Sequence, residues 1–392
     1  MLQPDGTRRR KHVYGRTRQE VQTKRTELLR KVDRGLPVPT CSRTVGAYLE
    51  YWLTEIAGRK VKPTTLRSYE TYVRLYLVPG LGRKRLDKLQ ARDVREWLNR
   101  IRETCRCCAQ GKDAARPQHR RRCCAAGRCC GEVLTTRTVQ YLHAILRSAL
   151  QHAVREDEIE RNVAKNVHVP AARRPDIQPL TLPEARKVLS AAQSDRLYAL
   201  LVLAMVLGMR RGELLGLRWR DISLDTPTLR IRQTLNRAQG RLYFSEPKTL
   251  RSARALPLPA FCVNAVQAHR HRQATERHHA GGSWRETGLV FTTSIGTPIE
   301  PRNLNRWFTE LLKRAGVRHV RLHDLRHTSA TLLRTMGVDL RIIMDILGHS
   351  VFALTSDTYS HVGQDEQRQA LSQLGDILDV GHQNQGDDNE DH

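Results

Sequence analysis

The sequence predicts a multidomain, mainly α-helical protein in which a helical domain precedes a mixed α+β domain with a small antiparallel sheet. Three observations lead to this prediction. The length of 392 residues suits more than one domain of ordinary size. Apolar residues recur at helical spacing through most of the chain, whereas alternating segments flank a glycine-containing turn near residue 240.

The two ends of the chain are polar. Residues 1–40 form a basic segment with eleven Lys or Arg against four Asp or Glu, and the spacing becomes helical from Thr17 onward. A disordered basic arm is the alternative interpretation of this segment. The tail, residues 381–392, is polar and acidic, and we expect it to be disordered because it has too few apolar side chains to form a core.

A helical domain is predicted over residues 44–165. Its second helix starts near Pro63, which suits the first turn of a helix, and the P-G-L-G sequence at 79–82 predicts a turn. A fourth helix is expected over residues 135–154. The inward positions of the first helix follow the i, i+3, i+4, i+7 pattern and are Val45, Tyr48, Leu49, Trp52, Leu53 and Ile56.

A cysteine-rich insert, residues 105–130, separates the third and fourth predicted helices. It holds seven of the nine cysteines, in two clusters on either side of a basic loop, residues 111–122. Clustered thiols are typical of zinc held by four thiolates, although the spacing is not a standard C-x-x-C pair. A reduced basic loop without metal is the alternative. The candidate zinc ligands are Cys105, Cys107, Cys108, Cys123, Cys124, Cys129 and Cys130.

An interdomain linker is predicted over residues 166–180, where prolines and arginines replace the apolar pattern. The second domain then covers residues 181–380. It opens with Thr181 and Glu184 at the spacing of a helix capping box. A buried helix follows and ends at Gly208.

Strands are expected in the middle of the second domain. Residues 229–235 and 242–245 alternate between apolar and polar, with A-Q-G between them as a hairpin turn. The segment after Pro247 continues into a further strand, which places Lys248 near a β-turn. Helices follow to the end of the domain. The last helix, residues 365–378, carries a leucine stripe made of Leu371, Leu374 and Leu378.

The net charge indicates the class of partner. Lys and Arg number 67 against 40 Asp and Glu, which gives a formal charge of +27, and such a surplus favours DNA or RNA. The longest apolar run, residues 199–207, is too short to span a membrane. Residues 1–10 lack the pattern of a signal peptide. We therefore expect a cytoplasmic, nucleoid-associated protein with reduced thiols and no membrane contact.

Polar motifs of the second domain suit cleavage of a phosphodiester. This reaction requires an in-line nucleophile, groups that neutralise the phosphate oxygens, and a proton for the leaving oxygen. Arg210 and Arg326 can present paired N–H donors to a phosphate, and Glu213 can orient Arg210. Lys248 can protonate a leaving 5′-oxygen if its pKa is lowered, and the Tyr359 phenol can form a covalent intermediate.

Two histidines complete the candidate set, because His323 and His349 can donate hydrogen bonds or transfer protons near neutral pH. Taken singly, these residues have ordinary explanations. Arg210 could lie on a helix surface, Lys248 in a solvated turn and Tyr359 in a core. The sequence shows neither an acidic cluster typical of two-metal nucleases nor a G-x-x-x-x-G-K-[ST] motif, so we expect catalysis without a metal or ATP.

The order of the motifs resembles that of the tyrosine recombinases, in particular the integrases of phages and integrative plasmids. The resemblance covers roughly residues 44–362. The motifs that carry it are G-M-R-R-G-E-L (208–214), P-K-T (247–249), H-D-L-R-H-T (323–328), L-G-H-S (347–350) and D-T-Y-S-H-V (357–362).

Position by position, the resemblance implies a complete catalytic set. It comprises two phosphate-binding arginines, two histidines, a hairpin lysine, a supporting acid and a tyrosine nucleophile. In that order, these positions are Arg210 and Arg326, His323 and His349, Lys248, Glu213, and Tyr359.

The resemblance also implies a mechanism and partners. Tyr359 would form a 3′-phosphotyrosine, and a homotetramer would exchange strands between two DNA duplexes at attachment sites, through a Holliday junction. The reaction would integrate a phage or integrative plasmid, and would excise it with a helper protein and a host DNA-bending protein. Residues 44–165 resemble the core-binding domain. The helix after Tyr359 would dock on a neighbouring protomer.

Two segments depart from the family pattern. Residues 1–40 resemble only the later part of an arm-type DNA-binding domain, and the cysteine-rich insert is not general to the family. Two other functions stay open from the sequence. One is a type IB topoisomerase-like DNA relaxer, which shares the chemistry, and the other is a non-catalytic DNA-binding protein on the same scaffold, to which a complete catalytic set would be of no use.

Overall fold

Contacts within the chain divide it into two compact units, Met1–Arg174 and Pro175–His392. The division falls inside the segment 166–180, whose ends pack into separate cores: Val167 is buried in the first unit and Leu180 in the second. Among the residues that the structure describes, no helix is long and apolar enough to cross a bilayer. The computed structural model describes residues 13–33, 43–110, 112–121, 123, 128–172, 178–238, 240–247, 253–348 and 364–379.

The described part of the first unit is built from helices. Short 3₁₀ turns at Leu86–Lys88, Gln118–Arg120 and Val163–Asn166 connect them. Within the basic N-terminal segment, the helical spacing predicted from Thr17 onward corresponds to α1. The helices are α1 (Arg18–Asp33), α2 (Val45–Tyr51), α3 (Gly58–Lys60), α4 (Pro63–Tyr72), α5 (Val78–Leu81), α6 (Ala91–Glu103), α7 (Arg106–Ala109) and α8 (Thr136–Arg155).

The predicted turn at 79–82 is wrong. The backbone passes from α4 through a π-helical turn, Val73–Leu77, directly into α5, which contains Pro79. In the π turn the N–H of Val78 reaches back to the carbonyl of Val73. The π turn shifts the hydrogen-bond pattern immediately before Pro79, which has no N–H to donate to it.

The long helix α8 contributes the largest share of the core of the first unit. The hydroxyl of Thr135 caps it by accepting the N–H of Thr138 at 3.3 Å. The helix packs against α6, whose Trp97 is buried. Its observed bounds match the predicted helix over residues 135–154. The buried residues of α8 are Val139, Leu142, Ile145, Leu146, Ala149, Leu150 and Ala153.

The second unit combines helices with five short strands in its described part. The capping box predicted for Thr181 and Glu184 is present at the start of α9. The helices are α9 (Leu182–Ala192), α10 (Tyr198–Val206), α11 (Arg211–Leu215), α12 (Ala260–Ala280), α13 (Pro301–Arg314), α14 (Asp324–Thr335), α15 (Leu340–Leu347) and α16 (Gln364–Leu378). The strands are β1 (Ile222–Ser223), β2 (Thr228–Arg230), β3 (Thr234–Ala238), β4 (Arg241–Ser245) and β5 (Ala255–Pro257).

The strands form two small antiparallel sheets. One has the order β1-β2-β5, with Leu229 opposite Leu256, and the other is the β3-β4 hairpin. This arrangement confirms the predicted fold class. The single strand predicted over residues 229–235 is wrong, because its two halves pair with different partners: Arg230 pairs with Ala255, whereas Thr234 pairs with Ser245.

The leucine stripe of α16 lies in the core of its own unit. Leu371, Leu374 and Leu378 are fully buried there, and α16 packs against α12 and β5. Arg186 on α9 also donates from Nε to the carbonyl of Ile377 at 2.8 Å. In the single chain its own core covers the apolar face of this helix, and docking on a neighbouring protomer stays a prediction.

Candidate active site

Three arginine side chains converge on the C-terminal end of α15. The consecutive backbone carbonyls of residues 346–348 accept, in order, from Arg254 Nε at 2.7 Å, from Arg326 Nη2, and from Arg210 Nη2 at 3.1 Å. Carbonyls at this end of a helix lack intrahelical partners, and the helix dipole is negative there. The helix end therefore fixes guanidinium groups that come from three separate parts of the unit.

A close approach between chain segments supports this arrangement. Arg326 also donates from Nη1 to the carbonyl of Gly208 at 2.8 Å, which joins the end of α10 to the cluster. Gly208 has φ +57°, and a Cβ at this position would collide with the side chain of Leu347. Glycine adopts this left-handed conformation without strain and needs no shift of Leu347.

Glu213 is the acidic member of the cluster. Its carboxylate is buried and accepts the backbone N–H of Arg210 at 3.0 Å, Nη1 of Arg210 at 2.7 Å and Nη2 of Arg254 at 3.4 Å. Burial alone would raise the pKa of Glu213, but the charge of Arg254 and the hydrogen bonds from Arg210 outweigh it, so the pKa is lowered. The carboxylate stays ionised and orients two arginines.

The cluster has a surplus of positive charge. Three guanidinium groups against one carboxylate leave two positive charges among these four side chains. Burial, followed by the charges of Arg210 and Arg254, lowers the pKa of Arg326 to about 9. Because these cations repel one another, an anionic ligand would stabilise them. A guanidinium presents paired N–H donors that match a phosphate. The side chain of Arg210 is 34% exposed, so solvent reaches it.

His323 lies beside this cluster at the start of α14, in the N-cap position. Its ring is 5.9 Å from that of His327, edge to face. Desolvation by the surrounding protein lowers the pKa of His323, and the charges of His327, Arg326 and Arg210 lower it further. At neutral pH the imidazole is therefore uncharged, and it can both donate and accept a hydrogen bond.

The structure describes four of the seven predicted site residues. It brings Arg210, Glu213 and Arg326 into one cluster with His323 at its side, although Arg210 precedes helix α11 rather than lying within it. The remaining three, Lys248, His349 and Tyr359, lie outside the described residues.

Arg254 is a member of the cluster that the sequence interpretation missed. Its side chain is only 8% exposed, and burial lowers its pKa despite the neighbouring Glu213 carboxylate. A signal for it exists in the sequence. Strand alternation from Leu256 and Leu258, both buried, places Arg254 on the inward face of the same segment. An arginine on a buried face requires an acidic partner, which here is Glu213.

These observations define the class of site. A rigid, buried arrangement of guanidinium groups around a helix end, with a neutral histidine at its side, suits the binding of a phosphodiester during a reaction on it. The site differs from a phosphate-binding glycine-rich loop because side-chain donors, rather than a run of backbone N–H groups, provide the positive charge.

Comparison with known proteins identifies the family. The Phage integrase family model matches residues 179–366, and the model of the phage integrase N-terminal SAM-like domain matches residues 44–102. An integrase of Streptomyces ambofaciens is 31% identical over 371 residues, which cover 91% of this chain and 86% of the relative. A tyrosine recombinase XerC-like protein of Caldanaerobacter subterraneus is 29% identical over 388 residues, with 94% and 92% covered.

Solved structures share the fold. A structure of the Tn1549 transposon integrase in complex with a circular-intermediate DNA is 22% identical with a TM-score of 0.61, and the match covers 85% of this chain and 100% of that one. A lambda integrase tetramer bound to a Holliday junction is 18% identical with a TM-score of 0.50, covering 89% and 91%.

The chain belongs to the tyrosine recombinase family of phage-type integrases. It is a site-specific DNA recombinase, an enzyme that breaks and rejoins DNA during the integration of a mobile element. The predicted family and reaction are thus confirmed, and the alternative of a non-catalytic DNA-binding protein is not favoured.

Proposed function

We propose that the arginine cluster at the end of α15 binds the scissile phosphate while Tyr359 attacks it. The observation that supports this most is the cluster itself, in which Arg210 and Arg326 are fixed within one hydrogen-bonded assembly. Arg210 is the more exposed of the two and would contact the phosphate directly. Glu213 and Arg254 would act as positioning residues, because they hold Arg210 and the end of α15 in place.

The proposed step forms one bond and breaks one. The oxygen of Tyr359 bonds to phosphorus and gives its proton to a neutral imidazole of the site, such as that of His323, while the bond from phosphorus to the 5′-oxygen breaks. The leaving 5′-oxygen takes a proton from Lys248, which gives a free 5′-hydroxyl and a 3′-phosphotyrosine. Because the new bond is again a phosphodiester, a 5′-hydroxyl can reverse the step and rejoin the strand without ATP or another cofactor.

The two histidines would bind the non-bridging oxygens. For His323, the lowered pKa supports a neutral hydrogen-bond donor at the edge of the cluster. For His349, support comes from chain connectivity. The carbonyl of Gly348 accepts from Arg210, so the backbone of His349 is one peptide bond away from a group that the cluster holds.

The first unit carries a surface suited to the DNA backbone. A cavity of about 570 Å³ along α8 is lined by Arg147, Arg155 and Lys165, with His152 among them. Burial, and then the charges of Lys60 and Arg155, lower the pKa of His152. The positive charge of this surface therefore comes from its arginines and lysine. We propose that residues 44–165 bind DNA through it and that residues 181–380 carry the chemistry.

The assembly is part of the same proposal. The tetramer of the similarly folded lambda integrase is bound to a Holliday junction. We propose that four copies of this chain likewise act on two DNA duplexes at their attachment sites. Excision would require a helper protein, and synapsis a host DNA-bending protein. These partners rest on family membership and on the charge of +27.

A nicked suicide DNA substrate tests the nucleophile. Cleavage next to the nick releases a short fragment, so the 5′-hydroxyl diffuses away and the protein–DNA adduct accumulates. The wild-type chain should form an adduct that survives denaturation, and Tyr359→Phe should form none because it lacks the attacking oxygen. Tyr243→Phe is the matched control and should form the adduct at the wild-type rate. An adduct that persists in Tyr359→Phe would exclude Tyr359 as the nucleophile.

A further inference from the structure

Cysteine sulfurs of the insert between α6 and α8 lie close together. The Sγ atom of Cys105 is 3.7 Å from that of Cys123 and 3.3 Å from that of Cys130. In a tetrahedral site with metal–sulfur bonds of about 2.3 Å, neighbouring sulfurs are about 3.8 Å apart. The spacing of these thiols is therefore close to that of ligands around a single metal ion.

Two overlapping triplets define the ligand set. The sulfurs of Cys105, Cys123 and Cys129 all lie within 4.8 Å of one another, and so do those of Cys107, Cys123 and Cys130. Cys130 is in the second triplet and also contacts Cys105, so it neighbours three other thiols. Cys129 and Cys130 are both exposed, but Cys129 belongs to the first triplet alone, and its sulfur accepts the N–H of Gly131 at 3.5 Å. The predicted ligands Cys108 (its side chain) and Cys124 lie outside the described residues.

Hydrogen bonds fix the positions of these sulfurs. The backbone N–H of Cys130 donates to the sulfur of Cys123 at 3.1 Å. Asp113 is fully buried nearby and accepts the N–H of Cys123 at 2.8 Å and Nη1 of Arg116 at 2.9 Å. This pair fixes the loop that carries Cys123, as second-layer hydrogen bonds do around metal ligands.

Cys105 and Cys123 are buried. If the four sulfurs are thiolates, they repel one another unless a cation lies between them. Ion pairs flank the cluster: Arg106 pairs with Glu132 at 3.3 Å and Arg116 with Asp113 at 2.9 Å. Tetrahedral sulfur ligation of one ion is typical of zinc.

We propose that Cys105, Cys107, Cys123 and Cys130 bind one Zn²⁺ as thiolates, and that this ion ties the insert into a compact loop between α6 and α8. Cys129 lies beside the site without binding the ion. The role is structural, since all four positions of the ion are filled by protein and none is left for a substrate.

Elemental analysis of the purified full-length chain tests the proposal. The protein is expressed with zinc, kept reduced and freed of loose metal by gel filtration. We expect about one zinc per chain, released in proportion to thiol titration by a mercurial reagent and detected with a metallochromic dye. Zinc below about a tenth of an equivalent, iron in its place, or a disulfide between Cys105 and Cys130 found by non-reducing mass spectrometry would each overturn the proposal.

Variants locate the ligands. Cys123→Ser should reduce the zinc content at least tenfold, because Cys123 belongs to both triplets. Cys262→Ser, in the second unit, and Cys129→Ser, beside the site, should each keep one zinc. Circular dichroism checks that the variants are folded. The thiol titration of the wild-type chain measures zinc release without relying on any variant. Full zinc in Cys123→Ser would remove the site from the insert, and loss of zinc in Cys129→Ser would contradict the ligand assignment.

Discussion

The buried carboxylate of Glu213 determines how the arginine cluster is organised. It receives hydrogen bonds from both Arg210 and Arg254, while Arg254 also donates to the end of α15. A buried charge is tolerated only when it is paired, so removing one partner leaves the other in an unfavourable environment. Arg254 is thus a positioning residue, because its effect on a phosphate would be transmitted through Glu213 and the helix end.

Arg254→Lys tests this role. A lysine keeps the charge, but all its donors lie on one nitrogen, which cannot take the places of both Nε and Nη2 of Arg254. We expect cleavage of the suicide substrate to slow by about tenfold, which corresponds to about 1.4 kcal/mol, with DNA affinity nearly unchanged. Single-turnover cleavage and a gel-shift titration measure the two effects.

Arg230→Lys is the matched control. Arg230 is exposed on the neighbouring strand and pairs in register with Ala255, so the substitution should leave cleavage unchanged. Equal rates for wild type and Arg254→Lys would contradict the positioning role. Equal losses of cleavage and DNA affinity would instead indicate that Arg254 contacts DNA.

Among single residues, the sequence identified those that lie within a recognisable motif. Arg210, Glu213, His323 and Arg326 are in or beside one cluster, as the motifs led us to expect. Arg254 has no motif of its own. Its burial follows from strand alternation, but its partner is 41 residues earlier in the chain, and only the folded structure brings the two together.

At the scale of elements, the end of α15 and the packing of α16 determine the shape of the site. Helix α15 ends at Gly348, which has a left-handed backbone, and the carbonyls at this end accept hydrogen bonds from the three arginines. Helix α16 closes the core behind α10 and α14 with its leucine stripe. The stripe was evident from the sequence, but apolar periodicity does not distinguish a helix that packs on its own chain from one that packs on another.

Leu371→Ala tests whether α16 packs on its own chain when no partner is present. Leu371 is fully buried in its own unit, so we expect the dilute, DNA-free chain to lose about 2–5 kcal/mol of unfolding free energy in denaturant titrations. Leu340→Ala, at a leucine that is 52% exposed, should change it by less than about 0.5 kcal/mol. Unchanged stability in Leu371→Ala would show that α16 leaves its own core when no partner is present.

Strand boundaries also depended on information that the sequence lacked. Residues 229, 231 and 235 are apolar, but the polar Gln233 interrupts the alternation between them. The structure divides the segment there, because β2 joins the three-stranded sheet and β3 starts the hairpin. The side chain of Gln233 donates to the carbonyl of Gly216 at 2.9 Å between the two strands, and this contact with a distant segment is what the sequence could not show.

At the scale of the whole molecule, the proposed function divides the cations between two tasks. The cations along α8 in the first unit would contact the DNA backbone, and the compact cluster in the second would bind one phosphate. Composition predicted a polyanionic partner from the charge of +27, and the motifs predicted the chemistry. Neither could separate surface cations along α8 from the arginines fixed by Glu213 and the end of α15.

If the arginine cluster neutralises the scissile phosphate, as proposed, a substrate with a neutral methylphosphonate at that position tests this most directly. Arg210→Ala should cleave the ordinary phosphate about 100-fold or more slowly than wild type, because charge stabilisation is lost. On the methylphosphonate, which carries no charge to neutralise, the same variant should approach the wild-type rate. A variant as impaired on the neutral substrate as on the charged one would contradict the claim.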